Sequence, residues 1–309
     1  MMTDVRTVGI VGARGHTGAE LVHLIQGHMY LELVFAGSRE LAGEPVPGYD
    51  EVMFESIGPG SLAGRDVDLV VLALPDGAGD PFVAAVSSET VVVDISADHR
   101  FDDDWAYGLP ELFREKLRGA ARIANPGCYA TAAQLALAPL VDAVDGVPAV
   151  FGVSGYSGAG TTPGPRNDPE RLADNLMPYK LVGHNHERET VRHLGIPVRF
   201  IPHVHPAFRG LLVTAHVPLG EEMGVDQLKA RFSAAYADEP LVEISDEIPE
   251  LRDGAGHRGV IVGGFETSAD GRNAVVIAAE DNLLKGAAVQ AVQNINLALG
   301  LHEFEGLLG

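Results

Sequence analysis

The single cysteine of the chain, Cys128, lies in the run Asn125-Pro-Gly-Cys-Tyr-Ala-Thr131. Pro126 and Gly127 read as a turn, and the alanine- and leucine-rich stretch Tyr129–Val144 reads as one long helix that begins directly after the cysteine. A thiol in that place meets the positive end of the helix macrodipole, which favours the thiolate. Thiolate is the nucleophile that attacks an activated carbonyl. On spacing alone, a buried and unreactive cysteine is an equal reading.

A second chemical element stands at the start of the chain. Gly12-Ala-Arg14-Gly15-His16-Thr17-Gly18 follows the apolar run Thr7–Val11 and opens the helical stretch Ala19–Gln26. Glycines there permit a sharp turn and let backbone N–H groups approach a pyrophosphate at a helix N-terminus. The spacing is G-x-x-G-x-x-G and departs from the G-x-G-x-x-G fingerprint; a plain strand–helix turn is the competing reading. The next strand, Leu31–Ala36, ends in Gly37-Ser38-Arg39. A carboxylate at that place would hold a ribose 2′-hydroxyl, whereas serine and arginine suit a 2′-phosphate, so NADP(H) is the expected dinucleotide. Arg39 as a solvated loop cation is the alternative.

Twelve histidines are too many for each to have a role. Residue pattern alone does not choose between His184, His186, His203 and His205. A His-x-His pair on a strand puts both rings on one face, as in a metal site, but no cysteine or carboxylate cluster stands at matching spacing. No metal is expected. His203 and His205 precede Pro206 and Arg209, and either line a site or pack. Arg166 and Arg209 offer planar guanidinium groups to phosphate or carboxylate, or serve as surface ion-pair members.

These residues need a scaffold. Val67–Leu74 and Thr90–Ile95 are continuous valine-rich runs, as in strands buried on both faces of a parallel sheet. A helical stretch, Gly79–Ser87, lies between them. Strand and helix alternate to about Asn125, the pattern of a doubly wound α/β domain. Beyond Pro126, Val147–Val153, Val198–Ile201, Leu211–Pro218, Gly259–Glu266 and Asn273–Ala279 read as strands with long connections, hence an antiparallel or mixed sheet in a second, α+β domain. Leu284–Leu299 is an apolar helical run. The loop Ser157–Pro169, dense in Gly and Pro, is long enough to carry function.

Composition bounds the partners. The 309 residues carry 22 Lys+Arg against 43 Asp+Glu, a formal charge of -21. That field repels nucleic acid and anionic membranes. Binding an anionic substrate then requires arginines or backbone donors gathered at one place. One cysteine permits no internal disulfide, no run of about 18 apolar residues appears, and no signal-peptide pattern is present. A soluble, cytoplasmic protein is expected.

Taken together, the motifs resemble the N-acetyl-γ-glutamyl-phosphate reductase family. The resemblance spans nearly the whole chain. It rests on Gly12–Leu21, Asp94-Ile-Ser-Ala-Asp-His-Arg100, Tyr107-Gly-Leu-Pro-Glu111, Asn125–Thr131, Ser154–Gly160, His184-Asn-His186, Arg209-Gly210 and Asp281-Asn-Leu-Leu-Lys-Gly286. Asn-Pro-Gly-Cys-Tyr-Ala-Thr is the most specific of them.

The resemblance implies a nucleophile at Cys128, an acid/base at His186, and a thioester route from acyl phosphate to aldehyde with release of phosphate, as in arginine biosynthesis. It implies a fold shared with phosphorylating glyceraldehyde dehydrogenases, in which the C-terminal helix packs back on the nucleotide domain. The expected division is then 1–127 with 284–309 as a Rossmann-type NADP-binding domain, and 128–283 as the catalytic and oligomerisation domain of a homo-oligomer, dimer or tetramer. Gly12, Arg14, Gly15, His16, Thr17, Gly18, Ser38, Arg39, Pro75 and Asn282 are the expected cofactor contacts, with Asp281-Asn282 turned to the nicotinamide. Ser154, Gly155, Arg166, His184, His203 and Arg209 are the expected substrate contacts.

The chain departs from the family pattern at Arg14 and His16 of the glycine turn, at Asp76 where histidine often follows the Leu-Pro pair, and at Thr161-Thr162 after Ser-Gly-Ala-Gly. These departures bear on anion contacts. Three alternatives stand beside this reading: the related reductase of carrier-linked aminoadipyl or glutamyl phosphate, aspartate-semialdehyde dehydrogenase, and a non-catalytic NADP-binding regulator.

Overall fold

The computed structural model describes residues 4–308 and divides into two compact units, residues 1–127 with 287–309 and residues 128–286. The first unit is built on strands β1 (Arg6–Val11), β2 (Leu31–Gly37), β3 (Phe54–Glu55), β4 (Leu69–Leu72), β5 (Val91–Asp94), β6 (Ala106–Tyr107) and β7 (Arg122–Ala124). They form one sheet in the order β3-β2-β1-β4-β5-β7-β6, every neighbouring pair parallel. Continuous apolar runs make such strands because both faces are covered. Helices α1 (His16–Gln26), α2 (Pro59–Leu62), α3 (Asp80–Val83) and α4 (Pro110–Leu117) link the strands. Strand order reverses between β1 and β4, and at such a switch point the loops after the strands open into a crevice.

Val11, Phe35, Val70, Leu72, Phe82 and Val92 pack into one buried core. Gly9 makes room for Phe35: a Cβ at position 9 would collide with that ring. The expected helix Gly79–Ser87 is regular only over Asp80–Val83, and turns follow it.

The last helix of the chain, α10 (Val289–Ala298), belongs to this unit and is buried all round. Three of its polar residues, Gln293, Asn294 and Asn296, are placed by hydrogen bonds, as burial requires, while the buried Gln290 amide has no such bond among the described residues. Asn294 Nδ2 donates to Gly108 O (2.9 Å) and Asn125 Oδ1 (3.0 Å). Asn296 Nδ2 donates to Glu303 O and Glu305 O, its Oδ1 lies 3.0 Å from His28 Nε2, and Gln293 Nε2 donates to Glu303 Oε1. Ahead of α10, residues Leu284–Ala288 form a π-helical turn.

The second unit is a mixed sheet of β8 (Ala149–Gly155), β9 (Met177–Pro178), β10 (Arg199–His205), β11 (Leu211–Pro218), β12 (Val242–Ile244), β13 (Val260–Thr267) and β14 (Asn273–Glu280), ordered β12-β13-β14-β11-β8-β10-β9. Pairs β8/β10 and β12/β13 are parallel and the rest antiparallel. Helix α5 (Cys128–Leu137) packs on β11 and β14, with every residue from Tyr129 to Leu137 buried. It is shorter than the expected 129–144. Pro139 lacks the N–H that an α-helix needs, and a 3₁₀ turn over Ala138–Leu140 ends it. The short α6 (Pro169–Leu172), α7 (Asn185–Leu194), α8 (Val225–Ala235) and α9 (Leu251–Gly254) complete the unit. Among the described residues, no helix is long and apolar enough to cross a membrane.

Candidate active site and dinucleotide site

In the first unit the three glycines after β1 have three different tasks. Gly12 turns the chain with φ +91°, and a Cβ there would strike the carbonyl oxygen of Ala73. Gly15 is the N-cap of α1. At Gly18 a Cβ would lie 2.5 Å from Gly12 O and 2.7 Å from Ala13 Cα, so only glycine lets α1 start this close to the turn. A tight turn, an uncluttered helix start and close helix–strand packing are what a pyrophosphate requires.

His16 and Thr17 are the first two residues of α1. The Arg14 Nη1 is 2.9 Å from Glu40 Oε2, so this cation is held by a neighbouring carboxylate. Ser38 is buried and its Oγ accepts from Leu41 N at 3.2 Å, which shapes the turn after β2. Arg39 is exposed and makes no ion pair among the described residues, which leaves its guanidinium for a 2′-phosphate. Pro75 stands in the loop after β4, two residues beyond Ala73, whose carbonyl abuts Gly12. The residues present fit a dinucleotide of the NADP type.

In the second unit Cys128 is the first residue of α5 and is partly exposed. Tyr129 behind it anchors the helix: its hydroxyl donates to His203 O at 2.7 Å, and its ring meets Phe200 edge-on at 4.9 Å. Gly152 in β8 clears this space, since a Cβ there would lie 2.6 Å from Tyr129 and 2.8 Å from Phe200. Burial holds the Tyr129 hydroxyl neutral, well above the usual tyrosine range.

Helix α7 packs against α5 and brings His184 and His186 to the same place. His184 is its N-cap, with Nδ1 accepting from His186 N at 3.2 Å. That bond leaves the ring proton on Nε2. Burial, with Lys180 and Arg166 adding their charges, lowers the His184 pKa to about 4, so it is neutral at ordinary pH. The His186 ring centroid lies 4.8 Å from that of His184 and 5.8 Å from that of Tyr129.

Arg166 places its guanidinium 4.9 Å from the centre of the Tyr179 ring and hydrogen-bonds its side chain. Burial and the nearby Cys128 raise Tyr179 well above the usual range. Thus Cys128, Tyr129, Tyr179, Arg166, His184 and His186 form one group. Tyr179 was not among the sequence candidates; it lies in an irregular stretch without periodicity.

A second set closes the other side. Ser154 is buried with Oγ 3.1 Å from Gly155 O, and Gly155 N donates to Gly210 O at 2.8 Å. A Cβ on Gly155 would lie 2.6 Å from Phe208 O. Arg209 Nη1 is 3.4 Å from Asp281 Oδ2, and Asp281 also accepts from Gly256 N and Leu283 N. Gly286 lies against Cys128: a Cβ there would be 2.7 Å from Cys128 Cβ and 2.9 Å from Glu280 Oε1.

One expectation changes. His203 shares its parity in β10 with the exposed Arg199 and Ile201, and its ring lies 4.3 Å from that of the exposed Phe151. Phe200, Pro202 and Val204, which alternate with it, are buried on the α5 side. The His203 side chain therefore lies on the sheet face away from Cys128. Asn282 has both ends of its amide engaged within the unit, accepting from Gly210 N (3.0 Å) and donating to Ser157 Oγ (2.8 Å). It holds the turn after β8 against the strand entering β11.

The family model described as Semialdehyde dehydrogenase, NAD binding domain, matches residues 7–120, and that described as Semialdehyde dehydrogenase, dimerisation domain, matches residues 128–282. A relative named N-acetyl-gamma-glutamyl-phosphate reductase from Xanthomonas oryzae pv. oryzae is 51% identical over 99% of this chain and 100% of its own. One of the same name from Xylella fastidiosa is 48% identical over 99% of this chain and 96% of its own. Among solved structures, aspartate semialdehyde dehydrogenase II from Vibrio cholerae superposes with a TM-score of 0.77 at 21% identity, covering 96% of this chain and 99% of that one. At that identity the likeness speaks for the fold alone. Identity near one half along the full length, with both family models in order, settles membership: the chain belongs to the N-acetyl-γ-glutamyl-phosphate reductase family of semialdehyde dehydrogenases.

Proposed function

We propose that this chain reduces N-acetyl-γ-glutamyl phosphate to N-acetylglutamate semialdehyde, with release of phosphate and oxidation of NADPH, and that Cys128 carries the acyl group. The observation that supports this most is a partly exposed thiol on the first residue of a buried helix, with Tyr179 near it, Arg166 on the Tyr179 ring, and His186 against the ring of the neighbouring Tyr129.

In this reading Cys128 sulfur, as thiolate, forms a bond to the acyl carbon, and the carbon–oxygen bond to phosphate breaks. N–H groups of the first turn of α5 stabilise the oxyanion formed on the way. Arg166, with no competing carboxylate on its guanidinium in the group described, takes the anionic end of the substrate. Bound NADPH supplies the hydride that reduces the thioester carbon. His186 takes the thiol proton at the outset and returns a proton to the thiohemiacetal oxygen as the hydride arrives. His184, neutral and tied by Nδ1 to the α7 backbone, orients His186 and does not act as the acid. When the thiohemiacetal collapses, its hydroxyl proton goes back to His186, the carbon–sulfur bond breaks, and thiolate is restored.

Residues Gly12–Gly18, Ser38 and Arg39 are the proposed dinucleotide contacts. Residues 1–127 with 284–309 are proposed as the cofactor-binding part and 128–283 as the catalytic part. The chain works as a homo-oligomer in the cytoplasm. Its contact surface is the face of the second sheet that bears Phe151 and Ile201, which are 39% and 43% exposed.

The reverse reaction tests the chemistry. Phosphate-dependent formation of NADPH from N-acetylglutamate semialdehyde should be abolished by alkylation. It should fall by orders of magnitude in Cys128→Ser while NADPH affinity is kept. Near-native turnover in Cys128→Ser would remove the covalent route.

A further inference from the structure

The first unit holds a polar cluster apart from the glycine turn. His99 is buried, with Nδ1 2.6 Å from Asp94 Oδ2 and Nε2 3.1 Å from Asp80 Oδ1. The ring lies flat on Trp105, the one tryptophan of the chain, with centroids 3.8 Å apart and planes 18° from parallel. Asp94 is fully buried and also accepts from Ser96 N and Ser96 Oγ. The Asp80 side chain is, by contrast, 86% exposed.

His99 thereby joins the end of β5 to the first residue of α3. The loop between β4 and α3 is tied to the same corner by two more carboxylates. Asp98 accepts from Gly77 N at 2.7 and 2.9 Å through its two oxygens, and Asp76 Oδ1 accepts from Ala97 N at 3.0 Å. Gly79 lies in this cluster, where a Cβ would make only ordinary contacts, 3.5 Å from Asp98 Oδ2 and 3.6 Å from His99 Cε1. At its other end the loop begins at Ala73, whose N–H donates to Val11 O at 2.8 Å and whose carbonyl abuts Gly12. The loop is therefore one wall of the crevice at the switch point, and His99 is the clasp that fixes its far end.

We propose that His99 is a positioning residue for the dinucleotide: bridging Asp94 and Asp80, it holds the Ala73–Gly79 loop in the place from which Pro75 and its neighbours meet the cofactor. This rests on the reading that NADPH lies across the Gly12–Gly18 turn. The ring itself touches no cofactor, and its effect passes through the loop. Asp80 gives the cleanest perturbation because an exposed carboxylate can be removed without opening the core.

NADPH binding to the full chain is read by quenching of Trp105 emission, which is free of other tryptophans. In Asp80→Ala the dissociation constant should rise about two- to fivefold, the scale for losing one solvent-exposed charged pair, and the emission of the unliganded protein should change. His99→Asn keeps an amide donor in reach of Asp94 only and should give the same rise. The double variant should be no weaker than either single one, because both cut the same link. At saturating NADPH, kcat should stay within about twofold of the unsubstituted chain, so the loss falls on cofactor KM. Arg39→Ala separates the two levels of the argument. If Arg39→Ala weakens NADPH binding while Asp80→Ala leaves both affinity and emission as they were, the clasp is wrong and the dinucleotide site stands. If Arg39→Ala also binds NADPH normally, the placement of the dinucleotide fails and the clasp with it.

Discussion

Gly286 offers the sharpest test of how the nucleophile is held. A methyl group there would stand 2.7 Å from Cys128 Cβ, 2.9 Å from Glu280 Oε1 and 3.2 Å from Asp281 O. Ordinary carbon contacts lie at about 3.5–4.0 Å, so the first of these is short by about 1 Å. Asp281 O is backbone, and the Glu280 side chain is fully buried, so neither yields easily. Cys128, partly exposed at the head of α5, is the member that moves. Overpacking of this kind costs about 1–3 kcal/mol, and a misplacement of about 1 Å at a reacting atom lowers the rate by about a hundredfold.

Gly286→Ala should therefore lose about two orders of magnitude in kcat for phosphate-dependent NADPH formation. NADPH affinity should be unchanged, and the melting temperature should drop by several degrees. The rate of iodoacetamide alkylation should shift with kcat, since both report the sulfur. Native turnover in Gly286→Ala would refute the geometry, and a fall in turnover with native alkylation would show that the loss lies elsewhere than at Cys128.

Two further expectations concern pH and assembly. Burial lowers the His184 pKa to about 4 in the folded chain, against 6.5 when unfolded, so only the unfolded chain takes up this proton in between. The folded state is then favoured above about pH 6.5 and loses up to about 3 kcal/mol as pH falls to about 4, at about 1.4 kcal/mol per pH unit. Melting temperature against pH should be flatter in His184→Asn, which keeps an N-cap acceptor, and an equal slope would contradict this assignment. Phe151→Glu, on the open sheet face, should reduce the molar mass in light scattering to that of one chain, and an unchanged oligomer would move the interface elsewhere.

Much of the fold can be read from single stretches of sequence. Valine-rich runs indicated β4 and β5 despite Asp68 and Asp94 within them, and Pro-Gly before Cys128 located the start of α5 to within one residue. The end of α5 was misread because alanine and leucine continue past Leu137, yet Pro139 outweighs them. The fate of β10 was not legible for a different reason. In Phe200-Ile-Pro-His-Val204 both faces carry an apolar residue, so alternation does not say which side is covered. His203 could then be assigned to the site, although it faces the open side. Tyr179 left no trace, since its place depends on the fold of an irregular loop against α5. Asn282 was located within its motif, but its hydrogen bonds to Ser157 and Gly210 join residues 125 and 72 positions apart.

The amide-rich helix α10 has a consequence for how the chain is made. The sheet it covers is translated before the helix, with the whole of residues 128–286 between them. During synthesis the uninterrupted unit can complete itself on emergence, while the earlier one waits with Gly108 O, Asn125 and His28 still lacking the partners that residues 294 and 296 bring. The nascent dinucleotide fold is thus finished only after the whole of the other unit has been made.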